Sequence, residues 1–351
     1  MKFNELEFLR KAVKIDSSQE IGEMRKFLTD TLEKHGFDPE VDEAGNTLCS
    51  RGSGSPHLVL NTHIDTVKPH VEFEETEERI KGRGSCDAKG PLAAFMKAFI
   101  ESDIDGKLTL AVTPDEETTL QASKKLDIDA DAFLVGEPTD LDPCIAARGW
   151  TKVEVEFRGE SAHASEPENG VNSIKAASEA VLSLENFDET FNYENDILPD
   201  PTLSATIIEG GQAENQVPET ATLTIDRRVV PPETPEKFSE KIKNHFKRNI
   251  QTEADIEVKL PNKTEPLSAF EKKPKTDIVQ IIKEESGSEP RIFDAATEAS
   301  RFKDSAVVVF GPGVLADEEG GVAHSKREYV NKIEVKGAGK ILVSTVESYL
   351  S

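Results

Sequence analysis

Apolar residues change their period along the chain in an ordered way. Between residues 4 and 35 they recur at helical spacing, as Leu6, Leu9 and Val13 and then Ile21, Met24, Phe27, Leu28 and Leu32, and the pattern stops at Gly36. Two helices laid on a sheet satisfy it. Phe37 to Val41 and Thr47 to Ser50 read as short strands on either side of a Gly45-Asn46 turn. The next segment, HLVLNTHIDTV, is a continuous apolar run, as expected of a strand buried on both faces in a parallel sheet. KLTLAVT, AFLV and AVVVF are later runs of the same kind. Glu72 to Ile80 predicts a solvated acidic hairpin, and Pro91 sits in the first turn of a helix whose buried face carries Leu92, Phe95, Met96 and Phe99.

The character changes near Gly149. TKVEVEFRG alternates as a half-exposed strand, VNSIKAASEAVLSLEN is an amphipathic helix, and TLSATIIEGG and ATLTIDRRV are strands. PEKFSEKIKNHFKRN is a second helix with Pro235 at its start, and ADIEVKL is a last strand. The order β-α-β-β-α-β is that of a ferredoxin-like module. The chain therefore reads as an α/β domain, residues 1–148 plus 263–351, interrupted by an α+β insertion at residues 149–262.

Composition narrows the function classes. The 351 residues include 67 acidic and 42 basic side chains, a formal charge of −25, and a single tryptophan. A nucleic-acid partner is disfavoured, because binding the phosphate backbone needs clustered cations. So acidic a surface fits a high-salt environment, where screening relieves self-repulsion; plain solubility is the other reading. No apolar stretch approaches the roughly 20 residues of a membrane span, and MKFNELEFLR has no signal-peptide apolar region, so a cytoplasmic location is expected. Cys49, Cys86 and Cys144 have no paired spacing and read as buried small hydrophobes; only Cys86 has a suggestive neighbour, Asp87.

The candidate chemistry lies at the ends of the apolar runs. His63 and Asp65 follow the first, Asp115-Glu116-Glu117 the second and Glu137 the third. Adjacent carboxylates about 4 Å apart repel by roughly 1 kcal/mol in water and about 4 kcal/mol at an effective dielectric of about 20. Ligands of open α/β sheets gather outside the carboxyl ends of the strands, so these residues are expected in one crevice, with Asp87 and His324 joining from loops. His-x-Asp alone is a weak pattern, and a lone histidine is usually structural. The set as a whole describes a mixed nitrogen and oxygen site that suits zinc or cobalt better than calcium. It holds more ligands than one tetrahedral ion uses. Two ions sharing a carboxylate would use them, and a water between the ions becomes a nucleophile near neutral pH, with one free carboxylate as its base. Gly82 and Gly84 do not form a dinucleotide fingerprint, and neither a phosphate loop nor a G-x-S-x-G elbow is present. Hydrolysis of an amide or ester fits best.

NTHIDTV, GRGSCDAKG, TPDEE, VGEPT and VAHSKREYV, in this order and spacing, resemble the five metal-site motifs of the di-zinc aminoacylase and carboxypeptidase family, which includes acetylornithine deacetylase and succinyl-diaminopimelate desuccinylase. The resemblance extends over essentially the whole length. It implies a phosphorylase/hydrolase-like mixed sheet flanked by helices, with the insertion serving as lid and dimerisation domain. It implies two divalent ions, zinc first with cobalt or manganese as alternatives. His63 and Glu137 would hold one, Glu117 and His324 the other, with Asp87 bridging and Glu116 as general base. Asp65 would orient the His63 ring, and the Asp87-Ala88 peptide would be cis.

In the insertion, GESAHASEPENGVNSI looks like the segment whose histidine, here His163, stabilises the tetrahedral oxyanion, often across a dimer interface, so a homodimer is implied. GGQAENQVPE and TIDRRV suggest Asn215 and Arg228 as contacts for a substrate carboxylate; Arg228 as a plain surface residue is the other reading. DAATEAS and HASEPENGVNSI look more like acetylornithine deacetylases, whereas Ala147-Arg148-Gly149-Trp150 and the segment 296–302 depart from desuccinylases. DAKGPLAA is similar to deacylases that release lysine or ornithine from a carrier protein. The expected substrate is a small N-acyl amino acid, N-acetylornithine foremost, with N-succinyl-diaminopimelate, carrier-linked lysine or ornithine, and dipeptides as alternatives. Loops around Arg148, Asn215, Arg228 and Glu298 are expected to set that choice. A non-catalytic metal-binding homologue is the competing class and predicts a missing base or ligand.

Overall fold

In the computed structural model, which describes residues 2–187, 197–260, 264–272, 275–302 and 304–351, the chain divides into two compact units. Met1–Ala147 with Phe270–Ser351 form one, and Arg148–Ala269 the other. The expected junction at 262/263 falls outside the described residues.

The first unit is built on a mixed sheet of nine strands among the described residues. Its centre is parallel: His57–His63 lies between Lys107–Thr113 and Ala132–Val135, and Ala306–Val309 follows on the far side of Ala132–Val135. These strands read as unbroken apolar runs because both faces are covered. All seven residues of His57–His63 are buried, and the helices Glu5–Val13, Lys89–Glu101 and Lys332–Leu350 share one core with them. Thr47–Gly52 and the short Glu40–Val41 extend one edge antiparallel, while Cys144–Ala147 and Phe270–Glu271 continue the other. The helix Lys89–Glu101 is buried throughout its first eleven residues, Lys89 included, whose Nζ donates to the carbonyls of Ala12 and Ile15. Burial lowers the Lys89 pKa to about 8. The three cysteines are buried and free.

The parallel register has one consequence for chemistry. His63, Thr113 and Val135 end neighbouring strands that point the same way, so the segments that follow them emerge at one edge of the sheet.

The second unit is a four-stranded antiparallel sheet ordered Thr202–Gly210, Thr220–Val229, Gly149–Arg158, Asp255–Lys259. The helices Ser173–Ser183 and Pro235–Asn249 pack on one face, and Val153, Val155, Phe157, Leu223, Ile225, Phe238 and Phe246 fill the core between. Each helix starts where its sequence provides a cap: Asn172 accepts from the Lys175 amide and Thr234 from the Lys237 amide, with Pro235 in the first turn. An ion pair is buried in this core. Arg227 pairs with Glu233 at 2.8 Å, both side chains being almost fully enclosed, and its guanidinium lies 5.7 Å and 5.4 Å from the Phe187 and Phe238 rings. Removing one partner of such a pair leaves a buried charge uncompensated, which costs about 3–5 kcal/mol. Arg227→Ala is therefore expected to lower the denaturation midpoint substantially. Trp150, the sole tryptophan, belongs to this unit, so its fluorescence should report the loss directly.

Candidate metal centre

Each strand end delivers its polar residues for a local reason. After His63 the chain leaves the sheet, and the buried Asp65 carboxylate accepts from two consecutive amides, Glu116 N and Glu117 N, at 3.0 Å each. Asp65 thus fixes the turn that carries the acidic pair. It also faces His63: Nδ1 lies 3.1 Å from the Asp65 carbonyl and 3.3 Å from its Oδ1, which leaves Nε2 pointing the other way. Asp115 turns aside; its carboxylate accepts from the Gln121 amide at 2.9 Å and from the Ala122 amide at 3.2 Å. Of the three adjacent acids, two remain for the site.

Asp87 comes from a glycine-punctuated turn ahead of the Lys89–Glu101 helix. Gly82 and Gly84 there have φ of +132° and +81°, and a Cβ on Gly84 would meet Thr66 Cγ2 at 2.7 Å. The Asp87-Ala88 peptide is cis. A buried carboxylate, Glu328, closes the turn. Its Oε1 accepts from the amides of Gly84, Cys86 and Asp87 at 2.9, 3.2 and 3.2 Å. Its Oε2 pairs with Arg83, whose guanidinium also donates to the carbonyls of His324 (3.2 Å) and Pro69 (3.1 Å). The Arg83–Glu328 pair thereby ties the turn of Asp87 to the loop of His324. His324 itself has φ +62°, a region that residues other than glycine seldom occupy.

The side chains converge. Asp87 offers one oxygen to each histidine: Oδ1 lies 3.2 Å from His63 Nε2, and Oδ2 lies 3.2 Å from His324 Nε2. Glu117 Oε1 is 2.9 Å from the same His324 nitrogen. Potential ligand atoms of His63, Asp87 and Glu137 lie within 4.8 Å of one another, as do those of Asp87, Glu117 and His324, and those of His63, Glu116 and Glu117. The first group is buried, whereas His324 keeps about half of its side chain exposed.

The electrostatics of the cluster follow from its burial and its crowded carboxylates. Burial pushes the carboxyls of Glu116 and Glu137 well above their usual range, and neighbouring carboxylates add to it. Burial and Asp87 raise Glu117. Asp87 goes the other way, since His324 and His63 outweigh its burial and hold it low, while Asp87 and Glu117 raise His324 to about 10. Two imidazoles and a crowd of carboxylates that raise one another's pKa fit divalent ions in both donor type and charge.

The residues expected in the insertion belong to the second unit. His163, on a two-residue strand paired with Gln216–Val217, is exposed, with Nδ1 at 2.7 Å from Ser165 Oγ. Asn215 is exposed beside it, and its carbonyl accepts from the Ala164 amide. Arg228 is half-buried and lies 3.3 Å from Asp226, which in turn accepts from Trp150 Nε1 at 2.6 Å. Arg148 donates to the Asp200 carbonyl at 3.0 Å. Glu298, expected on a specificity loop, is instead enclosed in the first unit, where Thr113 donates to it at 2.8 Å.

Residues 145–252 match the peptidase dimerisation domain of the M20 family. A provisionally named LysW-lysine/LysW-ornithine hydrolase of Pyrobaculum aerophilum is 29% identical over 337 residues, 93% of this chain and 91% of the relative. The acetylornithine deacetylase of Myxococcus xanthus is also 29% identical, over 334 residues, 85% of this chain and 84% of the relative. Among solved structures, an M20 family metallo-carboxypeptidase of Sulfolobus solfataricus superposes with a TM-score of 0.77 at 17% identity, covering 99% of both chains. The chain has the M20 fold. The resemblance read from the five motifs and the helix-flanked mixed sheet expected from it are both borne out.

The sequence reading missed Arg83 and Glu328, although both fall inside quoted motifs. Glu328→Ala is expected to cost about 3–5 kcal/mol, because Arg83 is left buried without its partner. Hydrogen exchange should also show the amides of Gly84, Cys86 and Asp87 losing protection, while amides of the Lys107–Thr113 strand keep theirs.

Proposed function

We propose that the protein is a two-metal amidohydrolase that cleaves the acyl group from an N-acylated amino acid, N-acetylornithine being the first substrate to try. The observation that carries this reading is the convergence of two imidazoles and four carboxylates into overlapping ligand groups. His63 and Glu137 would hold one ion and Glu117 and His324 the other, with Asp87, which has one oxygen toward each histidine, as the ligand they would share. Zinc is the expected metal, with cobalt and manganese as substitutes. Bound divalent ions supply Lewis-acid polarisation of a carbonyl and make water more acidic.

Distance alone admits Glu116 to a ligand group with His63; the motif resemblance is what assigns it to the base. Burial, with Glu137 and Glu117 close by, raises its carboxyl above the usual range, the direction a proton acceptor needs. Glu116 takes a proton from the attacking water and delivers it to the amine nitrogen as the C–N bond breaks. The water oxygen stays with the acyl group and gives up its second proton to the freed amine, so that the products are a carboxylate and an ammonium group. Asp65 keeps Glu116 on station through its amide and sets the His63 ring. His163 is assigned to the developing oxyanion, Arg228 and Asn215 to the substrate carboxylate, and Arg148 to substrate binding; Arg228 would exchange Asp226 for the carboxylate.

A second reading is favoured by the equal identity of the two relatives: release of lysine or ornithine from a carrier protein. Assays of the zinc-loaded protein on N-acetylornithine, N-succinyl-diaminopimelate, dipeptides and a carrier-linked lysine separate these. In every case Glu116→Ala should lower kcat by about 10²–10⁴-fold with both ions retained, and a chelator should abolish activity that zinc restores. Full activity in Glu116→Ala would contradict the mechanism.

The protein is further expected to act as a cytoplasmic homodimer. Thr202–Gly210 is an edge strand of the second unit and leaves Ile207 and Ile208 55% and 51% exposed, with Leu182 on the Ser173–Ser183 helix 65% exposed. An open edge with exposed apolar residues is normally covered. Ile207→Asp combined with Ile208→Asp should convert a dimer to a monomer in sedimentation; a wild type already monomeric at micromolar concentration would refute the assignment.

A further inference from the structure

One segment beside the centre has no part in the reading above. Thr297 and Glu298 precede and open a short 3-10 turn, Glu298–Phe302, and both are buried. Thr297 Oγ1 donates to Glu137 Oε1 at 3.0 Å, across 160 residues of sequence. Glu298 Oε2 accepts from Thr113 Oγ1 at 2.8 Å, across 185 residues. Thr113 is the last residue of the strand whose continuation carries Glu116 and Glu117. Its hydroxyl also lies 3.3 Å from the Thr62 carbonyl, on the strand that ends in His63. Two consecutive side chains therefore grip the ends of the two strands that flank His57–His63, one through a candidate ligand and one through the root of the acidic pair. The Glu298 carboxyl is 1% exposed, and its second oxygen has no hydrogen-bond partner. Burying a carboxyl that uses only one oxygen is costly and brings nothing to a core that apolar residues could fill. With so little exposure it is walled off from a substrate.

We infer that Thr297 and Glu298 are positioning residues of the centre, Thr297 fixing the orientation of Glu137 and Glu298 fixing the strand end from which Glu116 and Glu117 project. This inference rests on the reading of Glu137 as a ligand and Glu116 as the base. The two residues act on different parts of the centre, so their losses differ in kind. Hydrogen bonds that orient a ligand are worth about 10–100-fold in metal affinity or activity. A displaced base costs on the order of 10²-fold in rate.

The test uses the full chain stripped of metal, titrated with cobalt against a competing chelator, with circular dichroism confirming the fold. Thr297→Val should weaken one of two ions by about 10–100-fold and shift its visible cobalt absorption while leaving the other ion unchanged, and Thr297→Ser should restore both. Glu298→Ala should bind two ions as the wild type does and lose kcat at constant KM, and Glu298→Gln, which keeps the oxygen that Thr113 needs, should recover most of it. Wild-type cobalt affinities and spectrum in Thr297→Val, or a wild-type kcat in Glu298→Ala, would overturn the inference while leaving the two-metal reading intact. So would a Glu298→Gln as inactive as Glu298→Ala. A wild type that binds no cobalt would instead overturn the reading of the centre, and the inference with it.

Discussion

Mutual repulsion among buried carboxylates is the constraint on which the rest of the first unit depends. Asp65, Asp87, Glu116, Glu117, Glu137 and Glu298 crowd the carboxyl edge of one sheet, and among the described residues His63 and His324 stand with them as potential cations. Burial raises the Glu298 carboxyl to about 7, and Glu116 and Glu137 are driven up as well. A fold that places so many like charges together either neutralises them with protons or holds metal. The division of labour among the acids argues for metal: Asp115 caps a turn and Asp65 holds amides, while the others present oxygens to the same space.

The architecture around the edge serves that concentration. Parallel strands point the carboxyl-bearing turns in one direction, and the helices that cover the sheet make the strands apolar. The two loop ligands have a different support. Asp87 and His324 are not on strands, and the buried Arg83–Glu328 pair joins their loops across 245 residues of sequence. A buried ion pair is a poor source of stability. Here its use is geometric, because one carboxylate organises three amides of a turn and its partner holds the carbonyl of the opposite ligand.

Much of this was legible in the sequence. Apolar runs ending in His63-x-Asp65, Glu116-Glu117 and Glu137 follow directly from burial on two faces and function at the strand ends, and the change to alternating pattern at Gly149 marks the second unit. What stayed hidden was long-range and aperiodic. Nothing local to Glu328 says that three amides near residue 85 will point at it. Thr297 looks like any threonine until the fold brings it 3.0 Å from Glu137. Glu298 was expected on a substrate loop because its neighbours distinguish family members, yet the chain turns it inward. Arg228, read as a carboxylate contact, proves to have Asp226 beside it on the same face of its strand, a pairing that period-two spacing permits but does not require.

Whether two cations complete the cluster is the central question for this molecule. Calorimetric titration of zinc into chelator-stripped protein measures this directly. Two ions bound per chain, with the melting temperature rising as they bind, is the predicted result. A folded chain that takes up no zinc, with an unchanged melting temperature, would contradict it.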